Sequence, residues 1–285
     1  MARKKQSRVT SSLLTLISII GDIFKSPVLV AWILAIGGLI TLTAMSVPKL
    51  RATHISTSKV QVTFNNPPVW IDESILHELQ DVARIHLSQT TVGREGLLQT
   101  IKALAATGWF TNIKQVSWTS NNHAVVDATF LIPYARVQDE TGTVFVDFQA
   151  RRLPTREGLI VNKKYHFITL NNPIYSRPQR PGLQWNGGDI LDGIKVLKHI
   201  YDKPWADQVK SINLARWEGS GTMFLETDTP SKLKWGSAPG EERGLEALAD
   251  EKIERLNRVY TKNGRIDLGR TSEFDLTKTG RIIQN

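Results

Sequence analysis

An uncharged apolar stretch between residues 28 and 45 constrains this 285-residue chain more than any other feature. It reads VLVAWILAIGGLITLTAM, 18 consecutive residues without Asp, Glu, Lys or Arg. At about 1.5 Å per residue, an α-helix of that length spans about 27 Å, close to the roughly 30 Å hydrocarbon core of a bilayer. A helix in the core of a globular domain would carry a polar face, which this stretch lacks. The sequence therefore predicts one transmembrane helix over residues 28–45, in contact with the lipid bilayer.

The charges that flank this segment predict its orientation. Five basic residues precede it and three follow closely, and the positive-inside rule places the more basic flank in the cytoplasm. The basic residues are Arg3, Lys4, Lys5, Arg8 and Lys25 before the helix and Lys49, Arg51 and Lys59 after it. We therefore expect a single-pass protein of the inner (cell) membrane. Residues 1–27 form its cytoplasmic tail, and the bulk of the chain is periplasmic or otherwise extracytoplasmic.

A cleaved signal peptide is the competing interpretation of the same stretch. Ala44-Met45-Ser46 has the small-x-small pattern of a cleavage site. However, 27 residues precede the apolar stretch, which is too many for the short basic start of a signal peptide. An uncleaved signal-anchor is therefore favoured. Release of the full-length protein into the soluble fraction without detergent would contradict it.

The charge distribution and the cysteine content exclude several classes of function. The net charge is +9, but the first 50 residues hold six basic side chains and one acidic one, so more than half of the excess lies beside the membrane segment. That distribution indicates a topology signal rather than a nucleic-acid footprint, and we expect no nucleic-acid partner. Cysteine is absent, which excludes disulfides, thiolate zinc sites, iron–sulfur clusters and a cysteine nucleophile.

Hydrophobic periodicity predicts an α+β fold outside the membrane segment, with two units after a polar linker over residues 46–58. The first unit, residues 59–133, has the order strand-helix-helix-strand-strand. Its elements are predicted at 59–64, 73–88 with Asp72 as N-cap, 94–107, 113–119 and 124–130. Two helices on one face of a small three-stranded sheet would form a self-contained unit.

The second unit, residues 134–276, is mixed and richer in strand, and a tail over residues 277–285 follows it. Strands are predicted at 134–138, 143–150, 209–214, 222–226, 233–235 and 265–269, and helices at 189–201 and 246–260. The segment 173–188 is rich in Pro and Gly and is predicted to be a loop.

Short motifs along this pattern make the chain resemble the FtsQ/DivIB family of bacterial cell-division proteins over nearly its whole length. The motifs are Thr107-Gly108-Trp109-Phe110, Ile132-Pro133-Tyr134-Ala135-Arg136-Val137, Thr143-Val144-Phe145-Val146-Asp147, Lys234-Trp235-Gly236 and Ile266-Asp267-Leu268. The order of elements carries more of the resemblance than any one motif. The chain departs from the family in its Pro/Arg-rich loop over residues 170–188 and at Gly269, where the family often has a basic residue.

The resemblance implies a POTRA-like first unit and a membrane-anchored, non-catalytic scaffold that binds other bitopic division proteins. It also implies that a small coiled-coil partner adds a strand to a sheet edge near the end of the chain, because an exposed edge offers unpaired backbone groups. On this interpretation residues 265–276 supply the edge. The expected partner-binding residues are Arg265, Ile266, Asp267 and Leu268, with Tyr260 and Phe274 as apolar contacts. The resemblance implies neither a cofactor nor a catalytic residue.

Residues that could carry chemistry show no catalytic or metal-ligand spacing, and the structural interpretation is favoured for each group. Asp139, Glu140 and Asp147 could form paired carboxylates, and Gly187-Gly188-Asp189 could bind an anion at a helix N-terminus. A basic cluster could contact phosphates or anionic glycans. Its members are Arg151, Arg152, Arg156, Arg177 and Arg180. The six histidines, considered as metal ligands, are His54, His77, His86, His123, His166 and His199.

Two other functions remain open at this point. An envelope-anchored enzyme or glycan-binding module could carry the same anchor, and it would act on or bind isolated wall material. A POTRA-bearing outer-membrane assembly factor is disfavoured, because no alternating barrel strands follow the first unit.

Overall fold

The computed structural model describes residues 60–89, 93–120, 122–154, 166–279 and 283–284, together with residues 28, 31, 35–37 and 41. The last six residues belong to the predicted membrane segment and are helical, whereas the rest of that segment, the tail 1–27 and the linker 46–58 lie outside the described residues. Within the described ranges, no helix combines the length and the apolar character needed to cross a membrane.

The first unit confirms the predicted order of strand, helix, helix, strand and strand. Its elements are β1 (Gln61–Phe64), α1 (Glu73–Gln89), α2 (Arg94–Ala106), β2 (Phe110–Ser120) and β3 (His123–Phe130). The strands form a three-stranded sheet in the order β1-β3-β2. In it β1 is parallel to β3, and β2 is antiparallel to β3. The parallel pairing requires a crossover, which the two helices supply.

Local sequence explains the helices of this unit. The carboxylate of Asp72 accepts a hydrogen bond from the backbone N–H of Ser74 at 2.8 Å, which satisfies one free donor at the start of α1. Apolar residues at helical spacing then bury one face of α1 against the sheet. They are Ile75, Leu79, Ala83 and Leu87. Three phenylalanine rings close the core below, with centroids 4.7 to 5.8 Å apart: Phe64, Phe110 and Phe130.

The second unit is a mixed sheet with two long helices and two short helical turns, Ala206–Gln208 and Trp217–Ser220. Its strands are β4 (Ala135–Asp139), β5 (Gly142–Val146), β6 (Thr169–Asn171), β7 (Val209–Asn213), β8 (Met223–Thr227), β9 (Lys232–Gly236), β10 (Glu273–Asp275) and β11 (Ile283–Gln284). The helices are α3 (Asp189–Ile200) and α4 (Ala249–Asn263). Within the described residues the sheet has eight strands in the order β11-β10-β9-β8-β7-β6-β4-β5. This arrangement confirms the predicted α+β class.

The pairing of the strands is parallel at three places, β4 with β6, β6 with β7, and β9 with β10. Parallel neighbours need crossover connections, and the segments that contain α3 and α4 provide two of them. Both helices contribute to one hydrophobic core with the sheet. Ile190, Ile194 and Leu197 come from α3, and Ile253 and Leu256 from α4.

The predicted strand over residues 265–269 is wrong. Residues 266–269 form a turn, and Leu268 has a positive φ of 57°. The alternation of Ile266-Asp267-Leu268 is typical of a strand, but the Asp267 carboxylate accepts the backbone N–H of Gly269 two residues on, which closes a turn instead. The segment 265–276 therefore contains only the three-residue strand β10.

Two further boundaries differ from expectation. The strand predicted over residues 143–150 ends at Val146, because Asp147 accepts backbone N–H groups from Gln149 and Arg151 and turns the chain. The helix predicted over residues 246–260 begins at Ala249, since the Glu246 carboxylate is bound to Ser237 and Lys252 outside any helical turn. The strands β6, β10 and β11 were not predicted at their observed positions.

The two units meet where a glycine after α2 lies against the Pro/Arg-rich loop. Gly108 has a φ of 76°, and a Cβ added to it would lie 2.6 Å from Pro181 Cβ and 2.7 Å from the Pro181 carbonyl carbon. Gly182 also approaches Gly108, with its own added Cβ 3.2 Å from the Gly108 Cα. Arg151 adds a polar link by donating to Thr111 Oγ1 at 3.1 Å. Glycine at 108 is therefore required both for the helix end and for the contact between units.

We expect the substitution Gly108→Ala to lower the free energy of unfolding more than Gly264→Ala. Gly264 follows α4 with a similar φ of 72°, but nothing lies within 4 Å of an added Cβ there. The left-handed backbone alone costs an alanine about 1 to 2 kcal/mol. Overlap with Pro181 adds about 1 to 3 kcal/mol at position 108 only. Denaturant unfolding of the full chain in detergent measures both, and equal losses would show that the two units are not in contact at Gly108.

Candidate partner-binding surface

The outer strand at the C-terminal end of the large sheet is β11, not the segment 265–276. β11 is antiparallel to β10, with Phe274 opposite Gln284 and Asp275 opposite Ile283. On its other side, β10 is parallel to β9. Within the described residues no strand covers the far side of β11. A sheet edge therefore exists at this end of the sheet, one strand further out than the sequence indicates.

The predicted residues Arg265 and Asp267 form an ion pair inside the turn that leads from α4 to β10. Arg265 Nε lies 2.9 Å from Asp267 Oδ1, and Arg265 Nη2 lies 3.1 Å from Asp267 Oδ2. The same guanidinium also pairs with Asp228. Asp267 is fully buried and accepts further hydrogen bonds from the hydroxyls of Thr227 and Thr229. The pair ties the turn to the β8–β9 hairpin.

The charge of Asp267 is strongly stabilised. Burial alone would raise the pKa of this carboxyl, but hydrogen bonds from Arg265, Thr229, Gly269 and Thr227 outweigh burial and hold the pKa far below its usual value of 3.8. Hydrogen bonds to Asp267 and Asp228 raise the pKa of Arg265. Asp267 is therefore ionised at every physiological pH, and its role in the structure is to fix the turn.

The other four predicted residues differ in exposure. Ile266 and Phe274 are buried, with 2% and 3% of their surface exposed, and Tyr260 is partly buried against the same core. Leu268 is 40% exposed at the tip of the turn. The structure thus brings Arg265, Ile266, Asp267 and Leu268 together in one turn, but of the apolar side chains only Leu268 lies largely in solvent.

Two basic residues of α4 brace this end of the sheet and were not identified from the sequence. Arg255 donates to the carbonyl oxygens of Leu276 and Lys278, at 2.8 and 2.5 Å, so the chain after β10 is held against the helix. Lys252 is fully buried and lies 2.7 Å from Glu246 Oε1, with its ammonium 5.0 Å from the ring centroid of Trp235. Burial lowers the pKa of Lys252, and Glu246 opposes that effect.

These bracing contacts have no local sequence signal. Lys252 and Glu246 are six residues apart, which is not a helical pairing distance, and Arg255 contacts carbonyl groups more than 20 residues away. Only an unusual position of two basic residues on the apolar side of α4 could have indicated them.

The carboxylates considered for catalysis are held by arginines. Arg177 binds Asp139 through two nitrogens, at 2.9 and 2.7 Å. Arg151 donates from Nε and Nη2 to a single oxygen of Asp147, Oδ2, at 2.8 and 2.6 Å. Glu140 lies in the turn between β4 and β5. This arrangement fits carboxylates that fix loop geometry.

The N-terminus of α3 is occupied by its own side chain. Asp189 is fully buried and accepts hydrogen bonds from the backbone N–H groups of Ile174 and Tyr175, at 2.7 and 3.3 Å. Burial raises the pKa of this carboxyl, although the backbone hydrogen bonds lower it in part. Asp189 thus fastens the Pro/Arg-rich loop to α3 in the position where an external anion would bind.

The histidines and the basic cluster are the remaining groups that could carry chemistry. Among the described residues, no three His, Asp or Glu side chains lie close enough to hold a metal ion. His54 and Arg156 lie outside the described residues. Arg151 and Arg177 are paired with carboxylates, Arg180 is exposed, and Arg152 lines the same cavity as Arg177.

Comparison with known proteins adds no relative: no protein-family model matches the chain, and no curated protein matches it. The candidate surface therefore stands on the geometry of β11, the turn after α4 and their buried charges.

We expect Asp267→Asn to destabilise the fold at neutral pH and to change its acid response. Loss of a buried ion-pair partner costs about 3 kcal/mol. Because the pKa of Asp267 is lower in the folded chain than its usual 3.8, the unfolded chain binds the proton first as pH falls. The stability that Asp267 contributes is therefore complete well above pH 3.8 and is lost as pH falls below it.

The measurement is denaturant unfolding of the full chain in detergent at a series of pH values between neutrality and the acid limit of solubility. The gap in stability between the original protein and the Asp267→Asn variant should narrow as the medium becomes acid. Asp250→Asn, at an exposed position in the first turn of α4, is the control, and its stability should differ little from that of the original protein. A difference in stability between the original protein and Asp267→Asn that stays constant with pH would contradict the lowered pKa of Asp267 in the folded chain.

Proposed function

We propose that this chain is a membrane-anchored, non-catalytic scaffold of the bacterial cell-division machinery, of the FtsQ/DivIB type. Three features support the proposal: the predicted signal-anchor, the β-α-α-β-β unit that follows it, and a mixed sheet that, within the described residues, ends in an open edge. On this proposal the tail is cytoplasmic, the anchor crosses the inner membrane, and both units lie outside the cytoplasm.

The open side of β11 is the observation that carries the proposal. A strand paired on one side only presents unbonded N–H and C=O groups, so an extended partner segment gains ladder hydrogen bonds when it pairs there. The backbone supplies the affinity, which makes the edge tolerant of partner sequence. The partner would be a bitopic division protein, including a small coiled-coil protein with an extended segment.

The surroundings of the edge favour a preformed docking surface. β11 is antiparallel to β10, so its carboxyl end lies near the start of β10, where the turn with Leu268 arrives. The Arg265–Asp267 pair fixes that turn, and Arg255 fixes the chain after β10. Because these two segments are already fixed, binding costs them little conformational entropy. A preorganised surface binds more tightly than a flexible one of the same area.

The first unit provides a second surface in this proposal. As a POTRA-like unit it would contact other division proteins close to the membrane. Its outer strand β2 is paired with β3 on one side and carries three irregularities in register. Such bulges limit nonspecific pairing along an exposed edge. Selective contacts are therefore expected there rather than general strand addition.

We expect Leu268→Glu to reduce recovery of bitopic partners about tenfold or more. Docking would bury the new carboxylate without a partner, and burying an unpaired charge costs more free energy than a tenfold loss of affinity represents. The matched control is Leu183→Glu, because Leu183 is an exposed apolar side chain of the second unit, 53% exposed, that lies in the Pro/Arg-rich loop and not in the turn with Leu268. The measurement is co-precipitation of the full-length protein from crosslinked membranes. Leu268 is preferable to the buried Ile266, where a charge would disturb folding.

Four results would contradict the proposal. One is unchanged recovery with Leu268→Glu, and another is an equal loss with Leu183→Glu. A third is release of soluble fragments from isolated wall material by the purified protein, which would favour the enzyme alternative. Depletion of the protein should in turn produce filamentous or misdivided cells, and normal division after depletion would also count against it.

A further inference from the structure

The sequence contains two Asn-Gly pairs, Asn186-Gly187 and Asn263-Gly264. Asparagine is one of the thermolabile residues of proteins. Its side-chain amide carbon is open to attack by the backbone nitrogen of the next residue, and glycine hinders that attack least because it has no Cβ. Whether a given pair reacts in the folded chain depends on whether the amide and the nitrogen are free to meet.

The pair at the end of α4 is held by hydrogen bonds. Asn263 Nδ2 donates to the carbonyl oxygen of Val259 at 3.0 Å. The backbone N–H of Gly264 donates to the carbonyl oxygen of Tyr260 at 2.7 Å. The side-chain amide and the attacking nitrogen are thus both engaged in the helix. The end of α4 must open before Asn263 can react.

The pair before α3 has no such restraint. Asn186 and Gly187 are both exposed, in a bend near the end of the Pro/Arg-rich loop. Gly187 has a φ of 77°, a left-handed backbone conformation that belongs to no helix or strand. Within the part of the chain that the structure describes, neither the side-chain amide of Asn186 nor the backbone N–H of Gly187 makes a hydrogen bond to another residue. Asn186 can therefore react without first breaking a hydrogen bond.

We infer that Asn186 is a site of spontaneous covalent modification. The backbone nitrogen of Gly187 loses its proton to solvent base and forms a bond to Cγ of Asn186. The bond from Cγ to the side-chain nitrogen breaks and ammonia leaves, which closes a succinimide ring. Water then opens the ring. Cleavage at Cγ gives aspartate, and cleavage at the backbone carbonyl carbon gives isoaspartate, whose main chain runs through Cγ. Water is the co-reactant, and no atom is oxidised or reduced.

The modified residue lies between two buried anchors of the loop. Trp185 is buried and donates from Nε1 to the carbonyl oxygen of Tyr175 at 2.8 Å. Asp189 is buried and accepts the backbone N–H of Tyr175 at 3.3 Å. Gly187 lies so close to the Tyr175 ring that an added Cβ would overlap it. Isoaspartate lengthens the backbone between these anchors by one atom, so we expect it to loosen the contacts of Tyr175.

The test compares both Asn-Gly pairs in one sample of the full-length protein, aged in detergent at mildly alkaline pH. Mass spectrometry of proteolytic peptides measures aspartate and isoaspartate at positions 186 and 263. Asn186 should convert about tenfold faster than Asn263, because reaction at Asn263 requires the loss of two hydrogen bonds. The same measurement in urea removes the structural difference, and the two rates should then be nearly equal.

Two variants give matched controls. Asn186→Gln keeps an exposed amide but would have to close a larger ring, so conversion at position 186 should fall to the level of Asn263 or below. Freshly prepared Asn186→Asp carries the charge of the aspartate product on an unchanged backbone. Chymotrypsin cleavage after Tyr175 should be several-fold faster in the aged original protein than in Asn186→Asp, because the aged protein contains isoaspartate.

Three results would overturn the inference. One is conversion of Asn263 as fast as that of Asn186 in the folded protein. Another is a rate at Asn186 more than about tenfold lower in the folded protein than in urea, which would show that the loop protects it. The third is equal cleavage after Tyr175 in the aged protein and in Asn186→Asp. None of these measurements involves β11 or Leu268, so the function proposed above is tested separately.

Discussion

The large sheet depends on the backbone pairing of β6, a strand of three residues between β4 and β7. Thr169–Asn171 is parallel to both neighbours, so its few hydrogen bonds join the β4–β5 hairpin to the strands on the other side. Its central residue, Leu170, is fully buried and packs against α3, where a Cβ added to Gly193 would lie 2.8 Å from Leu170 Cδ2. Thr169 and Asn171, on the other face of the strand, are only partly buried. The chain then continues directly into the Pro/Arg-rich loop.

Buried charges hold the segments that the sheet and the helices leave irregular. Arg265 with Asp267, Arg177 with Asp139 and Arg255 with the carbonyls after β10 each supply hydrogen bonds that a loop backbone would otherwise lack. A loop must satisfy its backbone polar groups from side chains or water. Planar guanidinium groups suit this role, because one side chain reaches several acceptors in fixed directions. Arg152 differs from Arg265 and Arg177, since within the described residues it binds loop carbonyls and no carboxylate.

Elements with long amphipathic patterns could be predicted from the sequence, and elements defined by distant pairing could not. The helices α1, α2 and α3 and the hairpin of β2 and β3 have periodic apolar residues and recognisable ends, so their positions were nearly right. The strands β6, β10 and β11 have three residues or fewer, too short for any period to show. The strand prediction at Ile266-Asp267-Leu268 was wrong because alternation of apolar and polar residues is also compatible with a turn that buries its aspartate. The contacts of Arg152 could not be predicted, since Arg152 and the carbonyl of Pro178 that it binds are 26 residues apart.

The outer strand β11 and the β4–β5 hairpin lie at opposite ends of the strand order within the described residues. On the function proposed above, a strand added to β11 would be recognised mainly through its backbone, which tolerates many sequences. Selectivity would then have to come from side chains beside the edge, and Leu268 is the exposed apolar side chain of the turn there. Because Arg265 and Asp267 fix that turn, a partner that placed a charge or an unpaired polar group against Leu268 would bind more weakly than one with an apolar residue there.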